Sequence, residues 1–185
     1  MHDAEASQNM LRGDVIGRDD TRLFESAPEA PTPADEPGWF VTLATWIAFE
    51  SPLRARLHGV GILLQPDDEV EQLADSDTGT IDPSGITCLA VNFPVYTDGR
   101  GLSLAQLLRG DLGWHGELRA VGDVLIDTVN YLARCGFDSF VLKPGHDPLQ
   151  ARQALRAFTV TYQRSYRAAS TVSCPHATEG GPVAE

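Results

Sequence analysis

Residues 97–140 read TDGRGLSLAQLLRGDLGWHGELRAVGDVLIDTVNYLARCGFDSF and separate into a loop, a helix, a strand, a second helix and a second strand. Leu104, Leu107, Leu108 and Leu112 stand at i, i+3, i+4 and i+8, the spacing of an amphipathic helix. Ser103 with Gln106 makes a capping box at its start. Gly113 and Gly116 bracket the turn into ELRAVG, a strand over Glu117–Gly122. Asp123 then caps a helix over Val124–Cys135, whose Leu125, Val129 and Leu132 share a face. Gly136 stands where a left-handed residue closes a helix, and Phe137 supplies the hydrophobic contact beyond it. SFVLK, Ser139–Lys143, is the next strand.

Outward from this stretch the same alternation continues. VGILL (Val60–Leu64) and ITCLAVNF (Ile86–Phe93) are short continuous apolar runs, as expected of strands buried on both faces. Pro66-Asp67-Asp68 ends the first run and starts a helix with Val70, Leu73 and Ala74 inward; Asp68 and Glu71 form its capping box. Upstream, Leu43, Trp46, Ile47 and Glu50 trace a helix, and Ser51-Pro52 opens a second over Pro52–Leu57. Downstream, Asp147-Pro148 starts a helix that turns Ala151, Ala154, Leu155 and Phe158 inward. The skeleton is βαβαβαβα. It predicts an α/β fold, a (βα)4 parallel-sheet unit, open or half-barrel-like, behind an N-terminal helical segment and with disordered tails.

The 185 residues leave room for one domain, placed over 39–163. Residues 1–38 carry Pro28, Pro31, Pro33 and Pro37 among acids and are expected to be disordered, apart from a short strand around Asp14–Ile16. Residues 164–185 show no periodicity and read as a second disordered tail. The net charge is −12: nine acids and three Arg before residue 39 give −6, fifteen acids and nine bases over 39–163 another −6, and the tail is neutral. Such a chain repels phosphate backbones, which argues against nucleic acid. No apolar run is long enough to span a bilayer, and the first residues, MHDAEASQNM, lack the features of a signal peptide, so a cytoplasmic location is expected. Cys88, Cys135 and Cys174 are scattered, with no CxxC and no metal-ligand cluster.

In a parallel sheet, ligands bind outside the carboxyl ends of the strands. That rule selects Asn92, Asp98, Arg100, Gly122, Asp123, Lys143 and His146, with Arg119 inside its strand. Two readings stand. In one, Arg100 and the free N–H groups of the helix at Ser103 form an anion site for sulfate, phosphate or carboxylate. In the other, Asp98, Arg100, Glu117, Arg119 and Asp123 are a structural ion-pair network. Asp127 and Arg134, at opposite ends of one helix, complement its dipole and read as structural support. Cys135, at a helix C-terminus, is not activated as a nucleophile, and Cys88 reads as core. Val60–Leu64 is followed by Gln-Pro-Asp-Asp, not by a glycine-rich dinucleotide fingerprint, and the chain has no P-loop. No cofactor is identified.

FPVYTDGRGLSLAQLLR (Phe93–Arg109), GELRAVGDVL (Gly116–Leu125) and NYLARCGFDSF (Asn130–Phe140) resemble the blocks of a bacterial domain-of-unknown-function family, number 934, over about Trp39 to Gln163. Its members are often labelled probable oxidoreductases involved in sulfite reduction. The resemblance implies a small oxidoreductase or electron-transfer accessory of assimilatory sulfite reduction, or a non-catalytic partner or assembly protein of sulfite reductase or another sulfate-assimilation enzyme. It brings Asp98, Arg100, Gly101, Ser103, Arg109, Glu117, Arg119, Gly122, Asp123 and Asp127 into view without assigning them roles. Asn92 stands where Asp is common in the family, Leu102 where an aromatic is common, and Ile126-Asp127-Thr128 where Arg-Asp-Gln is common.

Overall fold

A computed structural model describes residues 9–27 and 30–156. The strands are β1 (Met10–Arg12), β2 (Val15–Gly17), β3 (Arg22–Leu23), β4 (Trp39–Thr42), β5 (Val60–Leu64), β6 (Ile86–Phe93), β7 (Glu117–Gly122) and β8 (Ser139–Val141). The helices are α1 (Leu43–Ala48), α2 (Glu50–Arg54), α3 (Arg100–Gly110), α4 (Val129–Arg134) and α5 (Pro148–Arg156), with 3-10 turns at Val70–Leu73 and Ile126–Thr128. All eight strands join one sheet in the order β2-β1-β8-β7-β6-β5-β4-β3. Strands β3 to β8 run parallel, while β1 lies antiparallel to both β2 and β8.

This overturns the expected (βα)4 unit. Four strands of the sheet come from residues 10–42; the short strand expected around Asp14–Ile16 is β2, while the other three stand where the sequence suggests a disordered tail and a helical segment. Leu11 is fully buried, and Ile16 and Phe24 pack on the core. Trp39 holds the β3 edge through the Arg22 guanidinium, 4.2 Å from its ring, and an edge contact with Phe24. The tail at 164–185 and the Phe158 end of the last helix lie outside the described residues.

The linker Arg18–Thr21 decides the shape of the sheet. It joins β2 at one edge to β3 at the other. Across a flat eight-stranded sheet those edges would stand about 34 Å apart, at about 4.8 Å per strand. Five residue steps from Gly17 to Arg22 reach only about 17 Å. The sheet therefore curls into a half-barrel, with the linker crossing its concave side. Asp19 of the linker touches Arg119 of β7, which identifies the concave face.

The strand order never reverses across the parallel strands, so right-handed crossovers place the helices on one face. The main core agrees. Leu43, Trp46, Leu53, Leu108 and Leu132 of the helices pack with Ile62, Leu89, Val91, Leu118 and Phe140 of the strands. The alternate strand residues face the concave side, where Phe40, Cys88 and Ala90 form a second, smaller cluster with Leu63 and Val121 against it. Gly61 is required there, because a Cβ would enter the Phe40 ring.

Local rules account for several helix ends. Gly136 has φ 107°, its N–H reaches Ala133 O (3.1 Å), and the N–H of Phe137 reaches Leu132 O (3.2 Å). That pair of bonds closes α4 as the sequence predicts. Asp147 Oδ1 accepts the N–H of Leu149 (2.9 Å) at the start of α5. Ser103 departs from expectation: α3 begins one turn earlier, at Arg100, and Ser103 is an exposed residue inside it. Asp68 accepts the N–H of Gln65 (2.7 Å), and only a 3-10 turn follows. Among the described residues no helix is long and apolar enough to cross a membrane.

Candidate functional site

The carboxyl ends of β5 to β8 bring together Gln65, Asn92, the loop Pro94–Gly99, Asp123, Lys143 and His146. Asn92 is the seventh residue of β6 and donates its Nδ2 to Gln65 Oε1 (2.8 Å), joining two neighbouring strand ends. Beyond β7, Gly122 has φ 93°, and a Cβ there would stand 2.5 Å from Phe93 O and 2.6 Å from Asn92 Oδ1. Only glycine lets β7 turn this close to β6, and the turn lets the N–H of Asp123 reach Phe93 O (2.7 Å).

Asp123 does not cap a helix over Val124–Cys135, as its position in the sequence suggests. That segment begins with the 3-10 turn, which Thr128 closes by bonding Leu125 O (2.8 Å), and α4 starts only at Val129. Asp123 reaches across the edge instead. Its Oδ2 accepts the N–H of Tyr96 (3.0 Å) and its Oδ1 meets Lys143 Nζ (2.6 Å). It thereby ties the loop after β6 to the loop after β8.

Asp98 and Arg100 form a second unit. The Asp98 carboxylate accepts Arg100 N–H (3.0 Å), Nε (3.0 Å) and Nη2 (2.7 Å). Asp98 thus caps the first helical N–H of α3 and grips the guanidinium with the same group. Between the two pairs the chain carries Val95 and Tyr96, both about half exposed (51% and 56%).

Arg119 lies elsewhere. It stands mid-strand on the concave face, paired across the sheet with Ala90 and Ser139. Its Nη2 reaches Glu117 Oε1 (2.9 Å), and Glu117 also pairs with Arg12 and accepts the Ser139 hydroxyl (2.6 Å). The five candidate positions therefore divide into Asp98–Arg100, Asp123 with Lys143, the exposed Ser103, and Arg119. Of the supporting residues, Glu117 belongs with Arg119, Asp127 is exposed in the 3-10 turn, and Arg134 sits in the last turn of α4. Sequence reasoning did not find Arg12 or Asp19 as partners of this cluster. Both lie in a segment without periodicity, and their partners are a hundred or more positions away. Among the described residues there is no cluster of His, Cys, Asp or Glu able to hold a metal ion.

Two carboxyls of the edge titrate below their ordinary range. The Arg100 guanidinium and N–H hold Asp98 down, and Lys143, with the N–H of Tyr96, holds Asp123 down. A carboxyl with a lower folded than unfolded pKa contributes stability above about pH 4, and that contribution is lost as pH falls through the folded value. The thermal midpoint is expected to drop below about pH 4, and less steeply in Asp123→Asn than in wild type. Parallel midpoint-against-pH curves would remove Asp123 from this role.

A family model described as "Bacterial protein of unknown function" (DUF934) matches residues 61–173, more than half of the chain. The match opens inside β5, so β1 to β4 precede it. No curated protein and no solved structure matches the chain.

Proposed function

The chain belongs to this family of bacterial proteins of unknown function, and from that premise we propose that it serves assimilatory sulfite reduction as a non-catalytic partner of sulfite reductase. It docks through the loop at the carboxyl ends of β6 and β7. One observation carries the choice of docking over anion capture: both cations of this edge are already matched by carboxylates, Arg100 by Asp98 and Lys143 by Asp123, with exposed Val95 and Tyr96 between them. An anion pocket needs positive charge left over, and each of these cations already faces a carboxylate. An aromatic and an aliphatic side chain ringed by neutralised polar groups is the composition of an interface centre with a polar rim. Sulfite reductase as the partner rests on the resemblance of Phe93–Arg109, Gly116–Leu125 and Asn130–Phe140 to the family blocks.

The test is capture of purified sulfite reductase on the immobilised full chain, wild type against Tyr96→Ala. A central tyrosine carries about 2 kcal/mol of an interface, roughly thirtyfold in Kd. Retention by wild type and its loss in Tyr96→Ala is the expected pattern; equal retention by both would refute the loop as the contact. The oxidoreductase or electron-transfer reading, with Arg100 gripping an oxyanion, predicts something else. Sulfite, sulfate, or a nicotinamide or flavin nucleotide would raise the melting temperature of wild type and not of Arg100→Ala. A ligand at 100 times its Kd adds about 2.7 kcal/mol, enough to resolve.

A further inference from the structure

The linker Arg18–Thr21 lies across the concave face as a strap, and one side chain fastens it there. Asp19 Oδ1 meets Arg119 Nη1 at 3.3 Å. The strap's neighbouring contacts are slight: the N–H of Asp19 reaches Asn9 Oδ1 at 3.3 Å, and Arg18, Asp20 and Thr21 are exposed. Beneath it Arg119 is almost fully buried, at 7% exposure. Its Nε and Nη2 bond Glu117 Oε1 (3.1 and 2.9 Å), its Nε also lies 3.3 Å from Ser139 Oγ, and its guanidinium is 5.5 Å from the Phe40 ring.

The charges on this face have unequal standing. Arg12, Glu117 and Arg119 belong to strands β1 and β7 and are fixed by the sheet ladder. Asp19 belongs to a four-residue connection. With Asp19 in place the four ionised groups sum to zero; with Asp19 withdrawn, two guanidinium groups face one carboxylate. A buried guanidinium left without its full counter-charge is costly, so another anion is drawn to the vacated position. The strands that carry Glu117, Arg119 and Ser139 lie inside the family match, whereas the strap that carries Asp19 precedes it.

We propose that Asp19 occupies an anion-binding position built on Arg119, and that the strap lifts to admit a small oxyanion or carboxylate in its place. The ligand class follows from the occupant, a carboxylate presenting oxygen to a guanidinium beside Arg12. This inference is independent of docking at the carboxyl edge, since it concerns the concave face of the sheet and other residues.

A thiol on the same face reports the strap. Cys88 is 2% exposed, pairs with Glu117 across β6 and β7, and packs with Phe40 and Ala90. Burial pushes its thiol up to about 11 against the opposing pull of Arg119 and Arg12, so labelling of Cys88 requires opening. Cys135, fully buried in the main core under the helices, is an internal reference on the other face.

The experiment is alkylation of the full chain, with labelling at Cys88 and Cys135 followed by mass spectrometry, in sulfate, in acetate and in sodium chloride at one ionic strength. Sulfate, acetate or both are expected to speed Cys88 labelling over chloride with no change at Cys135; whichever acts defines the ligand as tetrahedral oxyanion or carboxylate. Asp19→Asn, which keeps the size and removes the charge, is expected to raise the Cys88 rate about tenfold in chloride alone. The anion effect should vanish in Arg119→Met. Equal wild-type rates in all three salts would overturn the proposal, as would an anion effect that persists in Arg119→Met. The wild-type arm decides the matter even where a variant folds poorly.

Discussion

Arg109→Met is expected to lower stability by about 3 kcal/mol, the low end for removing one partner of a buried pair. Few surface-looking charges would cost as much. Arg109 sits in the last turn of α3, and the sequence assigns it no role. Its side chain turns inward, is 6% exposed, and spends its donors on four groups. Nη1 reaches Trp114 O and Gly116 O, both at 2.8 Å; Nε and Nη2 reach Gly136 O at 3.0 and 2.9 Å; Nη2 also meets Asp138 Oδ2 at 2.5 Å. Asp138 in turn accepts the N–H of Leu118 at 2.9 Å. One guanidinium therefore fastens the turn into β7, the closing turn of α4 and the start of β7. The half-exposed Asp138 regains water in the variant, which keeps the loss at the low end. In a domain of this size the melting temperature should fall by roughly 6–12 °C. Arg109→Lys should recover little of it, because an ammonium cannot span the four acceptors. A drop below about 2 °C, or full rescue by lysine, would show that the carbonyls find other partners.

Gly122→Ala is expected to have the second large effect, about 2–4 kcal/mol, from two causes that separate experimentally. The residue's φ of 93° strains any L side chain, and a Cβ would press on the backbone oxygen of Phe93. Gly145 has nearly the same φ, 91°, with nothing within 4 Å of a built Cβ, so Gly145→Ala measures the conformational cost alone, about 1 kcal/mol. Gly99→Ala, open and at negative φ, should be close to neutral. Gly122→Ala should also free the edge, because the bonds from Asp123 to Phe93 O and from Tyr96 to Asp123 depend on this turn. Its loss of reductase capture should then match that of Tyr96→Ala, with a fall in melting temperature that Tyr96→Ala does not share. If Gly122→Ala costs no more than Gly145→Ala, β6 and β7 have room to separate and the contact with Phe93 is not tight.

Both effects bear on what could be read in advance. The four principal strands were legible: Val60–Leu64, Ile86–Phe93 and Glu117–Gly122 match their sequence bounds, and β8 is shorter than expected by two residues. A continuous apolar run between turn residues is a local signal, as are the closing bonds of α4 at Gly136 and Phe137. The rule of strand carboxyl ends likewise placed Asp98, Arg100, Asp123 and Lys143 on one edge. It could not say that they would divide into two pairs, Asp98 with Arg100 and Asp123 with Lys143.

The sequence by itself determined strands β5 to β8 and where the helices fall, because those choices depend on neighbours within a turn or two. Only the tertiary structure decided the rest. Strands β1 to β3 are two or three residues long, too short for a period, and β1 exists because β8, far along the chain, offers it a ladder. A strand buried on both faces carries no alternation, so the concave position of Arg119 and Cys88 was not written in their neighbours. The curl of the sheet came from four residues joining its two edges, and what fastens it, Asp19 to Arg119, spans 100 positions. A contact of that separation is made by chain closure, and local sequence has no term for it.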